Sequence, residues 1–152
     1  MENKLQIRIF VQVCNTDNRD VILHHEHTTG EDIRKSVGAA PHTEVFLVRE
    51  EKWVPIGNEE RIRVKNGEQF AVIPHGALHY LVNGEPQWTH AKEMTPERIM
   101  EEAGVDPAHN YLVELKGHAQ ESFKDTPTKP IHMHNDMRFI TQFMGPKPVS
   151  GI

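Results

Sequence analysis

The chain has 152 residues and a formal charge of −5, with 17 Lys+Arg against 22 Asp+Glu. It therefore has no basic excess to neutralise phosphates, which argues against a dedicated nucleic-acid or anionic-membrane binder and leaves proteins as the expected partners. The single cysteine, Cys14, excludes an intrachain disulfide framework, and no N-terminal apolar run resembles a signal peptide or spanning helix, so a cytoplasmic protein is expected.

From Leu5 to Val13 every odd position is apolar, the alternation of a half-buried strand. Asn15-Thr16-Asp17-Asn18 is turn chemistry and Val21-Ile22-Leu23 restarts a strand, predicting a hairpin. Thr28 or Thr29 can cap a short helix over about 30–37, with Glu31 and Asp32 in its first turn and Gly38 at its stop. Val45-Phe46-Leu47-Val48 is a compact buried strand, and two more are predicted at Ile62–Val64 and Gln69–Ile73 around the Asn66-Gly67 turn.

The second half repeats this order. Tyr80-Leu81-Val82, the hairpin dipeptide Asn83-Gly84 and a return through Gln87-Trp88 precede Thr95-Pro96-Glu97, a helix cap with proline at its tolerated first position. A shift of 66 residues places Thr29 on Thr95, Glu31 on Glu97, Ile33 on Ile99, Gly38 on Gly104 and Pro41 on Pro107. The same shift lays Val45-Phe46-Leu47 on Tyr111-Leu112-Val113. Towards the ends of the copies the offset becomes 69, matching Ile62 to Ile131, Asn66 to Asn135 and Phe70 to Phe139, as a three-residue loop insertion would produce. Matched cap, core, stop and turn roles identify a duplication. A ββαβ(β)β order in each copy predicts an α+β chain of two tandem β-grasp, or ubiquitin-like, domains. They are expected at 1–74 and 79–144, joined by a linker at 75–78 and followed by an extended tail at 145–152.

Histidines supply a competing pattern. His25-Glu26-His27 with Glu31 and Gly38 has the spacing of a first cupin motif, and Gly67 with Pro74-His75-Gly76-Ala77-Leu78-His79 and Asn83 approaches the second, which would make a metal-dependent enzyme. The segment Asp32–Val37 reads as helix where a cupin needs strand, and the second copy places Ala91, Glu93 and Glu97 at the matching positions, so no metal or other cofactor is assigned. His132-Met133-His134 puts two imidazoles on one strand face without an evident partner pair. Cys14 lacks a neighbouring base, and Trp53, Trp88, Phe46, Phe70, Phe139 and Phe143 are assigned to packing. No phosphate loop or serine triad is present, so no catalytic residue is assigned.

After Arg138-Phe139-Ile140-Thr141-Gln142-Phe143 the chain reads Met144-Gly145-Pro146-Lys147-Pro148-Val149-Ser150-Gly151-Ile152, where proline disfavours pairing and favours extension. A modifier needs a tail of this kind, and a penultimate glycine permits close backbone approach in narrow enzyme channels.

These residues resemble the bacterial multiubiquitin family, through Tyr80–Gly84, Thr95–Gly104 and Arg138–Thr141 in the second copy and Thr29-Gly30, Ile33, Gly38 and Gly67–Phe70 in the first. The resemblance implies a tandem protein modifier akin to the interferon-induced two-domain modifier of animals, encoded in Bil-type antiphage operons. Its implied partners are an E1-like activating enzyme, an E2-like conjugating enzyme, a JAB-type peptidase and a target protein. Processing would fall at Ser150, Gly151 and Ile152, isopeptide conjugation would run through Gly151, and Pro146, Lys147, Pro148 and Val149 would form the recognised tail. The chain departs from a Gly-Gly end. A noncovalent tandem β-grasp adaptor is the alternative, and the cupin enzyme is the third reading.

Overall fold

In a computed structural model the structure describes residues 5–13 and 17–145. The chain divides into two compact units, Met1–Ala77 and Leu78–Ile152, each of mixed α+β construction and mostly strand. Among the described residues no helix is long and apolar enough to cross a membrane.

The first unit runs β1 (Ile7–Val13), β2 (Asp17–Leu23), β3 (His27–Thr29), α1 (Gly30–Ser36), β4 (Thr43–Arg49), β5 (Lys52–Ile56), β6 (Arg61–Arg63) and β7 (Gln69–Pro74). Its five-stranded sheet has the order β2-β1-β7-β4-β5, and β3 pairs with β6 in a separate ribbon. The central β1 and β7 are parallel while the other sheet neighbours are antiparallel. Parallel neighbours require a crossover, and α1 lies within the chain that makes it.

In β1 the expected alternation holds from Ile7 onward: Ile7, Ile9 and Val11 are buried in a core with Ile33 of α1 and with Val45, Leu47, Phe70 and Val72 of the sheet. Leu5 lies before the strand and is exposed. β2 begins at Asp17, four residues before the apolar run that marked it, because charge pairing replaces burial there. Arg8 pairs with Asp20, and Arg19 donates to Asp17 over 2.9 Å. Thr29, not Thr28, caps α1, accepting from the Asp32 N–H at 3.1 Å. Gly38 follows at a φ of 66°, the left-handed stop that glycine tolerates.

The second unit comprises β8 (Leu78–Val82), β9 (Glu85–Thr89), β10 (Glu93–Met94), α2 (Pro96–Glu102), β11 (Asn110–Lys116), β12 (Ala119–Ser122), β13 (Ile131–His132) and β14 (Met137–Phe143). Its sheet order, β12-β11-β14-β8-β9, is that of the first unit read from the other edge. Here β8 and β14 are the parallel pair, and β10 pairs with β13. Leu78, placed in the linker by the sequence, opens β8. Thr95 caps α2 by accepting from the Arg98 N–H at 3.2 Å, Pro96 takes the first turn, and Ile99 is fully buried like Ile33.

Equivalent positions match in detail. The Asn66 side chain accepts from the Arg8 N–H at 2.8 Å, and that of Asn135 accepts from the His79 N–H at 3.0 Å. Thr28 stands opposite Ile62 as Met94 stands opposite Ile131, in keeping with the longer offset after the helix.

One matched strand needs correction. Leu47 is opposite Phe70 in the first sheet, whereas Glu114 is opposite Phe139 in the second. Since Phe70 and Phe139 are equivalent, the offset in this strand is 67 rather than 66, and Leu47 corresponds to Glu114 instead of Val113. The extra residue falls between Gly104 and Asn110, in the loop that leads into β11.

The sequence reading did not contain β5 or β12, the strands that return from β4 and β11. Glu50 and Glu51 form the tight turn between β4 and β5 at φ values of 52° and 61°. That two-residue left-handed geometry favours asparagine and glycine, so a pair of glutamates gives no turn signal. Pro55 of β5 is accommodated because β5 is an edge strand.

Candidate functional site

All the residues assigned to processing, conjugation and tail recognition (Pro146, Lys147, Pro148, Val149, Ser150, Gly151 and Ile152) lie outside the described residues, as do Cys14 and the turn positions Asn15 and Thr16. The root of the tail is described. It emerges from β14, which sits between β11 and β8 in the sheet. The Asn83 turn clasps this strand, donating from its amide to the Thr141 hydroxyl and accepting from the Thr141 N–H, both at 2.9 Å. The Met144 N–H donates to the His109 carbonyl at 2.8 Å, and Gly145 follows at a φ of 82°. Phe143, assigned to packing from the sequence, is instead 71% exposed beside this exit because its side chain falls where β14 outruns the core.

The cupin-spaced residues do not converge. Asp32 to Ser36 is helical, His25 and His27 are exposed, and Glu31 is turned to Lys35 at 3.2 Å along α1. His75 faces Glu44 at 3.3 Å, while His79 lies 3.0 Å from Asp136. Met133 is buried in the second core with His132 and His134 exposed on either side of it, but β13 ends at His132, so the expected strand face does not extend to His134. Among the described residues no group of three or more His, Cys, Asp or Glu could hold a metal ion.

The register that puts Glu114 on Leu47 also forms a site. Leu112 and Glu114 are on the core-facing side of β11, two residues apart. Leu112 joins the core, but Glu114 opens into a cleft of about 540 Å³ whose lining includes Phe123, Lys129, Ile131, His134 and Met137. Glu114 is only 6% exposed, and no hydrogen bond or ion pair joins it to the described residues. Burial pushes its carboxyl above the ordinary value, Lys116 and His134 oppose that rise, and Glu121 adds to it. Lys116 is committed elsewhere: its ammonium donates to Glu121 at 2.8 Å, a contact that holds the lysine up and the Glu121 carboxyl down.

The chain matches no protein-family model and no curated protein. Sequence reasoning missed Glu114 because the shift of 66 was carried into this strand, where it is 67; the signal was a carboxylate two positions after Leu112 in a strand whose alternation puts both on the buried side.

Proposed function

We propose that this protein is a tandem ubiquitin-like modifier: two β-grasp domains, processed at the C-terminus and joined to target proteins by E1-like and E2-like enzymes in bacterial antiphage defence. It acts as the substrate of that pathway and not as an enzyme. The observation that carries the reading is the repeated strand order, each sheet with a parallel central pair and a helix in the crossover, together with an exit for the chain from the middle strand of the second sheet. A chain leaving such a strand beside an exposed Phe143 can be presented away from its domain to an enzyme channel. The Pro146–Val149 segment would then serve as the stiff recognised tail, and Gly151 as the reacting residue.

Chemically, the peptidase would remove Ile152 by hydrolysis and free the Gly151 carboxylate. The E1-like enzyme would adenylate that carboxylate with ATP and release pyrophosphate, an enzyme thiolate would displace AMP to give a thioester, and a target amine would displace the thiol. Intact-mass measurement of the full chain with the cognate peptidase, E1-like and E2-like enzymes and ATP tests each step. Loss of Ile152 followed by thioester-linked adducts is expected; an unprocessed chain that forms no adduct sinks the conjugation reading.

The competing reading, a noncovalent adaptor, draws on Phe10 and Ile22, which are 42% and 46% exposed on one face of the first sheet beside Arg8 and Asp20. Target capture that persists with the tail removed after Gly145, in the absence of ATP, would favour it.

A further inference from the structure

The Glu114 cleft has no part in the conjugation chemistry proposed above, and it has features that a packed strand position does not require. Its floor is apolar, with Phe123, Ile131 and Met137 all buried. Into this floor β11 carries Glu114, a residue 6% exposed overall whose carboxylate opens to the cleft and is joined to nothing by hydrogen bond or ion pair among the described residues. A carboxylate largely screened from water by an apolar wall and lacking a partner is costly to hold, and in the first unit the same position is the ordinary core residue Leu47. The nearest cation on the same strand, Lys116, is already bound to Glu121.

Charge and shape indicate what would satisfy the site. Three acids, Glu114, Glu121 and Asp136, line the cleft against two lysines, Lys116 and Lys129, leaving a net negative charge with the histidines neutral. A cation on an aliphatic stem matches both parts: methylenes lie along the apolar wall, and the charged head reaches the buried carboxylate in a charge-assisted hydrogen bond. The cleft also borders β12, which contributes Glu121 and is an edge strand of the sheet. An edge strand can receive an extended polypeptide by backbone pairing, which would hold a side chain over the cleft.

We propose that this cleft receives a lysine or arginine side chain from a partner polypeptide that runs along β12. The two copies of the repeat thereby differ in recognition: the second has the buried acid, and the first has leucine in its place.

The test titrates isotope-labelled full-length protein with a short extended peptide bearing one central lysine, and with the same peptide acetylated on that lysine. Binding is expected to shift resonances of Phe123, Ile131, Met137 and β12, and acetylation is expected to weaken it by about tenfold or more. Glu114→Gln and Glu114→Leu should weaken the unmodified peptide to the level of the acetylated one. The leucine variant copies the residue of the first unit, and both variants are checked for an otherwise unchanged spectrum. An arginine peptide should bind with its citrulline counterpart weakened in the same way. Equal binding of charged and neutral peptides, undiminished binding by either variant, or no shift with either basic peptide at millimolar concentration overturns the proposal. Spermidine binding more tightly than the peptides would assign the cleft to free polyamines and overturn the polypeptide partner.

Discussion

Replacing Glu114 by leucine should make the second unit more stable, against the usual direction of core substitutions. Glu114 is 6% exposed and has no hydrogen-bond or ion-pair partner among the described residues, and Leu47 shows at the matching place that leucine packs to the same 6%. Relieving a buried polar group that lacks a hydrogen bond is worth about 1–3 kcal/mol. The methylenes of glutamate are already buried, so the additional apolar gain is about one CH₂ equivalent, ~0.8 kcal/mol. A combined gain of about 2–4 kcal/mol corresponds to roughly 10 °C or more in the melting of a domain of this size.

Differential scanning calorimetry of the full chain and the Glu114→Leu and Glu114→Gln variants from pH 4 to pH 8 would measure it. The pH dependence has a defined sign. The folded carboxyl titrates above its ordinary value of 4.5, so the folded state holds more protons than the unfolded state between the two. The wild type therefore has its full contribution from this group below about pH 4.5 and loses it as pH rises through the folded value. Both variants lack that loss, so the stability of each relative to the wild type should rise from pH 4 to pH 8. A leucine variant that melts at or below the wild type at pH 8, or an advantage independent of pH, would refute the argument.

Three further substitutions test the fold. Gly30→Ala should cost about 1–3 kcal/mol in chemical denaturation, since its Cβ would lie 2.7 Å from the backbone oxygens of both Ile56 and Gly57, and a gain in stability would contradict that close approach. Thr29→Ala and Thr95→Ala should each cost about 1 kcal/mol in the same measurement, because each hydroxyl caps the equivalent helix, and a large inequality would argue against equivalent caps. Tyr80→Phe should be neutral or stabilising by up to about 1 kcal/mol, because the buried Tyr80 hydroxyl has no hydrogen-bond partner among the described residues; a loss above that would reveal one. The same burial pushes the Tyr80 phenol up, so no tyrosinate absorbance from it is expected while the protein stays folded.

The parts of the fold that could be read from the sequence were those in which burial and local backbone chemistry coincide. Ile7-Ile9-Val11 alternate, Thr29 and Thr95 cap, Gly38 and Gly104 stop, and Asn83-Gly84 turns, each through forces acting within a few residues. The parts that were hidden depend on long-range pairing. Polar Asp17–Asp20 is a strand because β1 lies beside it, and β5 follows a turn whose two glutamates carry positive φ against their local preference. Glu114 was hidden for a third reason: one residue in the loop before β11 changes the register, and a register step of one reverses which side chains face the core.

That register step alters what the duplication means. Were the second copy only a repetition of the first, its core would carry an apolar residue opposite Phe139, as Leu47 stands opposite Phe70. On the expectation argued above, Glu114 lowers stability at that place, and stability is what a binding group commonly costs the domain that holds it. The tail also follows the second copy, and its root beside Phe143 lies at one end of β14, whereas Met137 of the cleft lies at the other. A partner on the cleft would therefore lie at the opposite end of β14 from Phe143. If the chain is processed as proposed, that separation lets the second unit be held and processed at once, and substitution of Glu114 should then change partner capture without changing removal of Ile152.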